Sequence, residues 1–260
     1  MYMFGDKLPF NDTVDKVLTD KDSLVSFNVS PNIDTETYRL ISEMASEYRN
    51  SVYMPQNSKD EILMYYGVPY EDPNRPYWPT SLDHPFYTEH DALFHNNPLS
   101  WIEFQGTRDM SFGSRVHGNI TAVLAGTPAV FMPQAARVRE LCDYHGFASI
   151  PRNRSSEINK LTDAIEHLDF KEPLRRHAKN FAHYTSFLKQ NGLDNIFEAG
   201  IQGETPYDRK TAGFRSEEPL HPVNRESAAV RRKRLKEWEN RKNPAKPLTF
   251  GRIMKKLGIK

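Results

Sequence analysis

The chain has 260 residues, 38% hydrophobic and 12% aromatic, with 15 Phe and 12 Tyr, enough apolar material for the core of one large domain and too much for a wholly disordered chain. Lys and Arg (35) nearly balance Asp and Glu (34), yet residues 225–260 hold 13 basic against 3 acidic side chains, which leaves residues 1–224 net acidic. No apolar run approaches the roughly 18 residues of a membrane span, and the start carries no basic flank leading into an apolar stretch, so the expectation is a cytoplasmic chain; the single cysteine, Cys142, excludes an internal disulfide and a Cys-based zinc site.

Leu24 to Val29 is a short apolar run closed by Ser30-Pro31-Asn32 and predicts a buried strand. Asp34 or Thr35 can cap the helix that follows, in which Tyr38, Ile41, Met44, Ala45 and Tyr48 recur at helical spacing. Ser51 to Met54 predicts a second strand before Pro55-Gln56-Asn57. The opening is therefore β-α-β, which favours a parallel sheet. Gly67 to His90 holds five prolines among aromatics and predicts a long irregular insertion packed over the surface, with Tyr70, Tyr77 and Trp78 lying on their own domain rather than on a sugar ring.

Pro98 opens a short amphipathic helix through Leu99, Trp101, Ile102 and Phe104, and Asp109 to Gly113 predicts a strand. A helix begins near His117, Pro128 to Met132 is a further buried strand, and Arg137 to His145 is a helix ended by Gly146. Ile158, Leu161, Ile165 and Leu168 mark another helix, and Leu174 to Asn191 another. The expected organisation is an α/β, Rossmann-like lobe over residues 1–195, a polar linker over 196–224 and a basic helical tail over 225–260 without a wide apolar stripe.

The densest cluster of chemically suggestive residues is Gly113-Ser114-Arg115-Val116-His117-Gly118-Asn119, between a strand and a helix at the carboxyl edge of the sheet, where open α/β sheets place ligands. A helix N-terminus, a guanidinium and an imidazole converge there, and the two glycines permit close backbone approach, a pattern suited to a phosphate or carboxylate. The bland alternative is a structural turn in which Arg115 pairs with a surface carboxylate and His117 caps the helix. Arg137 and Arg139 stand on the first turn of the next helix, where cations oppose the dipole unless an anion offsets them; the alternative there is pairing with Glu140 or Asp143.

Gly113-Ser114-Arg115-Val116-His117-Gly118, then Ala122-Val123-Leu124-Ala125-Gly126-Thr127-Pro128-Ala129, then Arg137-Val138-Arg139-Glu140-Leu141 resembles the polysaccharide pyruvyl transferase family. The resemblance spans about Leu24 to Leu141 and includes Met54-Pro55-Gln56-Asn57 and Pro98-Leu99-Ser100-Trp101. It implies the carboxyl-terminal lobe of a fold like that of GT-B glycosyltransferases. It also implies transfer of a pyruvyl group from phosphoenolpyruvate to two hydroxyls of a sugar, forming a cyclic ketal, with no further cofactor. By the same resemblance Arg115 holds phosphate or carboxylate, and His117 binds phosphate or protonates the enol carbon. Ser114, Gly118, Asn119 and Arg137 are then substrate-binding positions. No equivalent of the family's amino-terminal lobe precedes Leu24, so a second lobe or subunit is an expected partner, along with a carbohydrate acceptor that can be carried on lipid.

Two rival functions remain at this level: a GT-B glycosyltransferase using a nucleotide-sugar, and a non-catalytic lobe that binds an acidic sugar or another subunit. His84, His90 and His95 match no usual zinc spacing, so no metal is expected. Cys142 reads as a small core residue. Arg231-Arg232-Lys233-Arg234-Leu235-Lys236 reads first as a solvated helix, second as a contact with the inner face of an anionic membrane, and not as a nucleic-acid contact, because the body is net acidic.

Overall fold

The computed structural model describes residues 1–2, 4–197 and 218–242. After a short helix α1 (Val14–Thr19), strand β1 (Val25–Asn28) runs through the middle of the molecule with all four residues buried. Helix α2 (Thr35–Glu47) returns the chain; Asp34 caps it by accepting from the Thr37 N–H at 3.0 Å, and Leu40, Ile41, Met44 and Ala45 form its buried stripe. Strand β2 (Val52–Tyr53) pairs parallel with β1. Helix α3 (Ser58–Tyr66) begins at Asn57, whose side chain accepts from Lys59 and Asp60 N–H, and ends at Gly67 in the left-handed region.

The proline-rich stretch after Gly67 is mostly turns, as expected, but it contains a four-residue helix α4 (Pro85–Thr88) and delivers an edge strand β3 (Asp91–Ala92) that carries no apolar run in the sequence. Trp78 is buried, its indole N–H donating to the Tyr70 hydroxyl at 3.0 Å, so these aromatics pack on their own domain. Helix α5 (Pro98–Gln105), capped by Asn97, leads to strand β4 (Met110–Gly113), helix α6 (Val116–Ala125), strand β5 (Ala129–Phe131) and helix α7 (Ala136–His145), which stops at Gly146. The strands pair in the order β3-β2-β1-β4-β5, all parallel. This is the alternating α/β, Rossmann-like arrangement.

Phe27, Tyr53, Phe86 and Phe112 form the aromatic centre of the core, each ring in contact with another. Burying a side chain of that size contributes roughly 1.5–3 kcal/mol. Cys142 is buried and its thiol is pushed up to about 12 by burial, so it packs as a small apolar residue.

One helix and the end of the linker depart from the sequence reading. The helix expected over 158–168 is a 3₁₀ turn (Arg152–Glu157) followed by a shorter α8 (Leu161–Ile165), because Ile158 and Lys160 are extended. Helix α9 (Glu172–Gln190) forms as expected, with Pro in its first turn. Of the linker expected over 196–224, residues 198–217 lie outside the described residues, as do residues 243–260 of the tail. The described end of that linker is not free: Leu220 and Phe94 exchange backbone hydrogen bonds at 2.8 and 3.0 Å, and Val223 is buried. Arg225 pairs with Asp91 at 2.7 Å. Helix α10 (Ala228–Lys242) then docks on α3 through Trp238 and Tyr66, with ring centroids 5.1 Å apart. None of its residues is buried, in keeping with the solvated helix expected, while ring and cation–π contacts lay one side of it on α3.

Candidate anion site at the switch point

β1 and β4 are neighbours in the sheet, and the chain leaves them in opposite directions, β1 toward β2 and β4 toward β5. Their carboxyl ends therefore flank the crevice in which open α/β sheets bind ligands. Asn28 pairs in register with Gly113 at that end. Gly113 has φ +149°, and a Cβ there would run into the Asn28 carbonyl, so only glycine lets the two strand ends lie this close.

The turn after β4 is clamped from beneath. Asn28 Oδ1 accepts the Arg115 N–H at 2.7 Å, and Asn28 Nδ2 donates to Asn119 Oδ1 at 2.9 Å. Asn119 Nδ2 donates to the carbonyls of Gly113 (2.9 Å) and Val130 (3.1 Å), and its Oδ1 also accepts from the Ser111 hydroxyl at 3.1 Å. Both Asn side chains are fully buried. Asn119, expected to bind substrate, instead has all its polar atoms engaged inside the protein and ties α6 to β4 and β5. Ser114 is likewise buried, its Oγ accepting the Ser30 N–H at 2.8 Å. A Cβ on Gly118 would lie 2.7 Å from Gln56 Nε2 and 2.9 Å from Asn28 Nδ2, so this glycine serves the approach of the β2 loop to α6.

Above this clamp the cations are left available. No side chain caps the N-terminus of α6, whose N-cap residue is Arg115 itself, and the helix dipole there favours an anion. The Arg115 guanidinium is half-buried; its Nε donates to the Val29 carbonyl at 3.3 Å, and it forms no ion pair among the described residues. Burial lowers its pKa, and the charge of Asp60 opposes that shift. His117 stands exposed one residue into α6. Arg137 and Arg139 are exposed in the first turn of α7, which also lacks a side-chain cap, and neither pairs with Glu140 or Asp143. Arg115, His117, Ser114 and Gly118 thus share one turn, whereas Arg137 sits at the head of the adjacent helix.

A buried polar cluster lies behind Arg115. Asp60 is almost fully buried on α3; its carboxylate accepts from the Tyr70 hydroxyl at 2.8 Å and from Asn57 Nδ2. Burial pushes its pKa up to about 6, against the Tyr70 hydrogen bond and the charge of Arg115. The hydroxyls of Tyr53 and Tyr87 are buried there without a hydrogen-bond partner among the described residues, and burial raises both pKa values well above 10. Asn28, Asp60, Tyr53 and Tyr87 were not singled out as site residues from sequence; the one available signal was the Asn57-to-Asp60 spacing at a helix start.

Among the described residues no group of three or more His, Cys, Asp or Glu is arranged to hold a metal ion. His84 caps α4, His90 bonds Ser51, and His95 stacks on Trp101 with ring centroids 6.2 Å apart. Fold and site together define an α/β chain of Rossmann-like topology with a half-buried guanidinium and an uncapped helix N-terminus at its switch point. Models of known protein families do not match the chain, and no curated protein matches it either. No helix among the described residues is long and apolar enough to cross a membrane.

Proposed function

We propose that the chain binds phosphoenolpyruvate at the β4–α6 turn and takes part in transferring its pyruvyl group to a hydroxyl pair of a surface-polysaccharide sugar. One observation carries this reading: Arg115 forms no ion pair among the described residues and stands at the N-terminus of α6, which has no side-chain cap, on a turn held in place by Asn28 and Asn119. The donor is a small polyanion with a carboxylate and a phosphate, and the cations at this edge suit it. Arg115 and the first-turn N–H groups of α6 hold one anionic group, and Arg137 at the head of α7 reaches toward the other.

In the proposed reaction His117 protonates the methylene carbon of the enol, which places positive charge on the ketal carbon. One sugar hydroxyl adds to that carbon; the second displaces phosphate and closes the ring. The methylene becomes a methyl group, the two hydroxyl protons leave to His117 and to phosphate, and the products are a cyclic ketal and inorganic phosphate. Arg115 stabilises the leaving phosphate. The wall that positions the acceptor is assigned to a second lobe or subunit, as the family resemblance implies.

The test is phosphate release from phosphoenolpyruvate with a panel of galactosides and mannosides, with and without an added amino-terminal lobe. Release that requires both acceptor and His117 supports the reading. Turnover of a nucleotide-sugar in place of phosphoenolpyruvate, or release indifferent to His117→Ala, overturns it.

A further inference from the structure

Outside the switch-point site, a groove of about 390 Å³ runs between the end of α3 and α10. Tyr66, Leu82, Val223 and Leu235 give it an apolar floor, and Arg231 and Arg232 stand at its rim. Ring contacts seat α10 on α3. Trp238 packs on Tyr66, and the Arg234 guanidinium sits 4.3 Å from the Tyr65 ring centre while pairing with Glu226 at 3.3 Å. Positions 228, 231, 232 and 235 follow the i, i+3, i+4, i+7 spacing of one helix face, which brings both rim arginines and Leu235 to the groove.

This face is unusual in two respects. Leu235 is 42% exposed, an apolar side chain presented to solvent among cations. Arg231, Arg232, Lys233 and Lys236 form no ion pair among the described residues, on a helix with seven Lys and Arg against two Glu. An occupant must therefore bring negative charge for the rim and hydrocarbon for the floor.

We infer that the α3–α10 groove docks an anionic phospholipid at a bilayer surface, with its phosphate on Arg231 and Arg232 and its acyl-glycerol portion against Leu235 and Tyr66. Aromatic rings beside cations suit the boundary between headgroup and hydrocarbon, where one end of a side chain is apolar and the other wet. A nucleic-acid backbone would satisfy the arginines but leave Leu235 and the apolar floor without a partner. Because residues 1–224 are net acidic, an anionic surface attracts this face and repels much of the rest.

Co-sedimentation of the full chain with phosphatidylcholine vesicles, with and without phosphatidylserine, tests the assignment. Binding is expected only with phosphatidylserine. Replacing both rim arginines, Arg231→Gln with Arg232→Gln, should weaken binding about thirtyfold. Leu235→Gln, which leaves the charge unchanged, should weaken it several-fold. All three positions are exposed, so thermal midpoints should not move. Wild-type binding by the Leu235→Gln variant, or preferential binding of a DNA duplex that vesicles fail to displace, overturns the proposal.

Discussion

The backbone N–H of Arg115 donates to Asn28 Oδ1 at 2.7 Å. The last side chain of β1 thus sets the turn that carries the guanidinium of the neighbouring β4–α6 unit. Because Asn28 also bonds Asn119, and Asn119 reaches the carbonyls of Gly113 and Val130, one buried network joins three strands beneath the site. Such a network holds its geometry only if every member is satisfied.

Asn28→Ala should therefore destabilise the protein by about 2–4 kcal/mol, because Asn119 Oδ1 and the Arg115 N–H both lose a buried partner. Asn119→Ala should cost a similar amount, and the double variant should cost clearly less than the sum of the two. Urea unfolding of the four proteins measures this. Strict additivity would mean that the two side chains do not act as a unit.

Asp60 has the opposite pH signature to a salt-bridged carboxylate. Its pKa is raised from 3.8 to about 6 by burial, so the folded state keeps a proton that the unfolded chain releases at lower pH. Its contribution to stability is full below 3.8 and is lost as pH rises through 6, about 3 kcal/mol in all. Asp60→Asn should remove that loss. Compared with wild type, the variant should gain about 2–3 kcal/mol between pH 4 and pH 7.5 in urea unfolding. The half-buried His95 and the buried His145, both lowered to about 4 by burial, titrate with the other sign but are common to both proteins and cancel in the comparison. A difference that does not change with pH would contradict the assigned environment of Asp60.

Much of this fold was legible because its elements are marked locally. Val25 to Asn28 and Ala129 to Phe131 lie in apolar runs, Asp34 caps one helix, Pro98 opens another, and Gly146 ends a third. β3 was not legible, since Asp91–Ala92 is a two-residue edge strand defined only by its pairing with β2. The docking of α10 also escaped, because Arg234 and Trp238 hold it by ring contacts that hydrophobic periodicity does not register. At the site, the glycines, Arg115 and His117 were visible as a turn before a helix. Asn119 looked like a ligand contact for the same reason. Only the three-dimensional network shows that its side chain is consumed within the protein, and only burial shows that Asp60 and the Tyr53 and Tyr87 hydroxyls stand behind Arg115.

The central claim is that the β4–α6 turn holds an anion through Arg115. Isothermal titration calorimetry of phosphoenolpyruvate and of inorganic phosphate into wild type, Arg115→Ala and Arg139→Ala tests it most directly. A charge-assisted hydrogen bond from a guanidinium contributes about 1.5–3 kcal/mol. Arg115→Ala should therefore weaken binding by about ten- to a hundredfold, while Arg139→Ala, exposed on α7, should stay within about twofold of wild type. Equal affinities for the two variants would contradict the claim and make the turn a structural one.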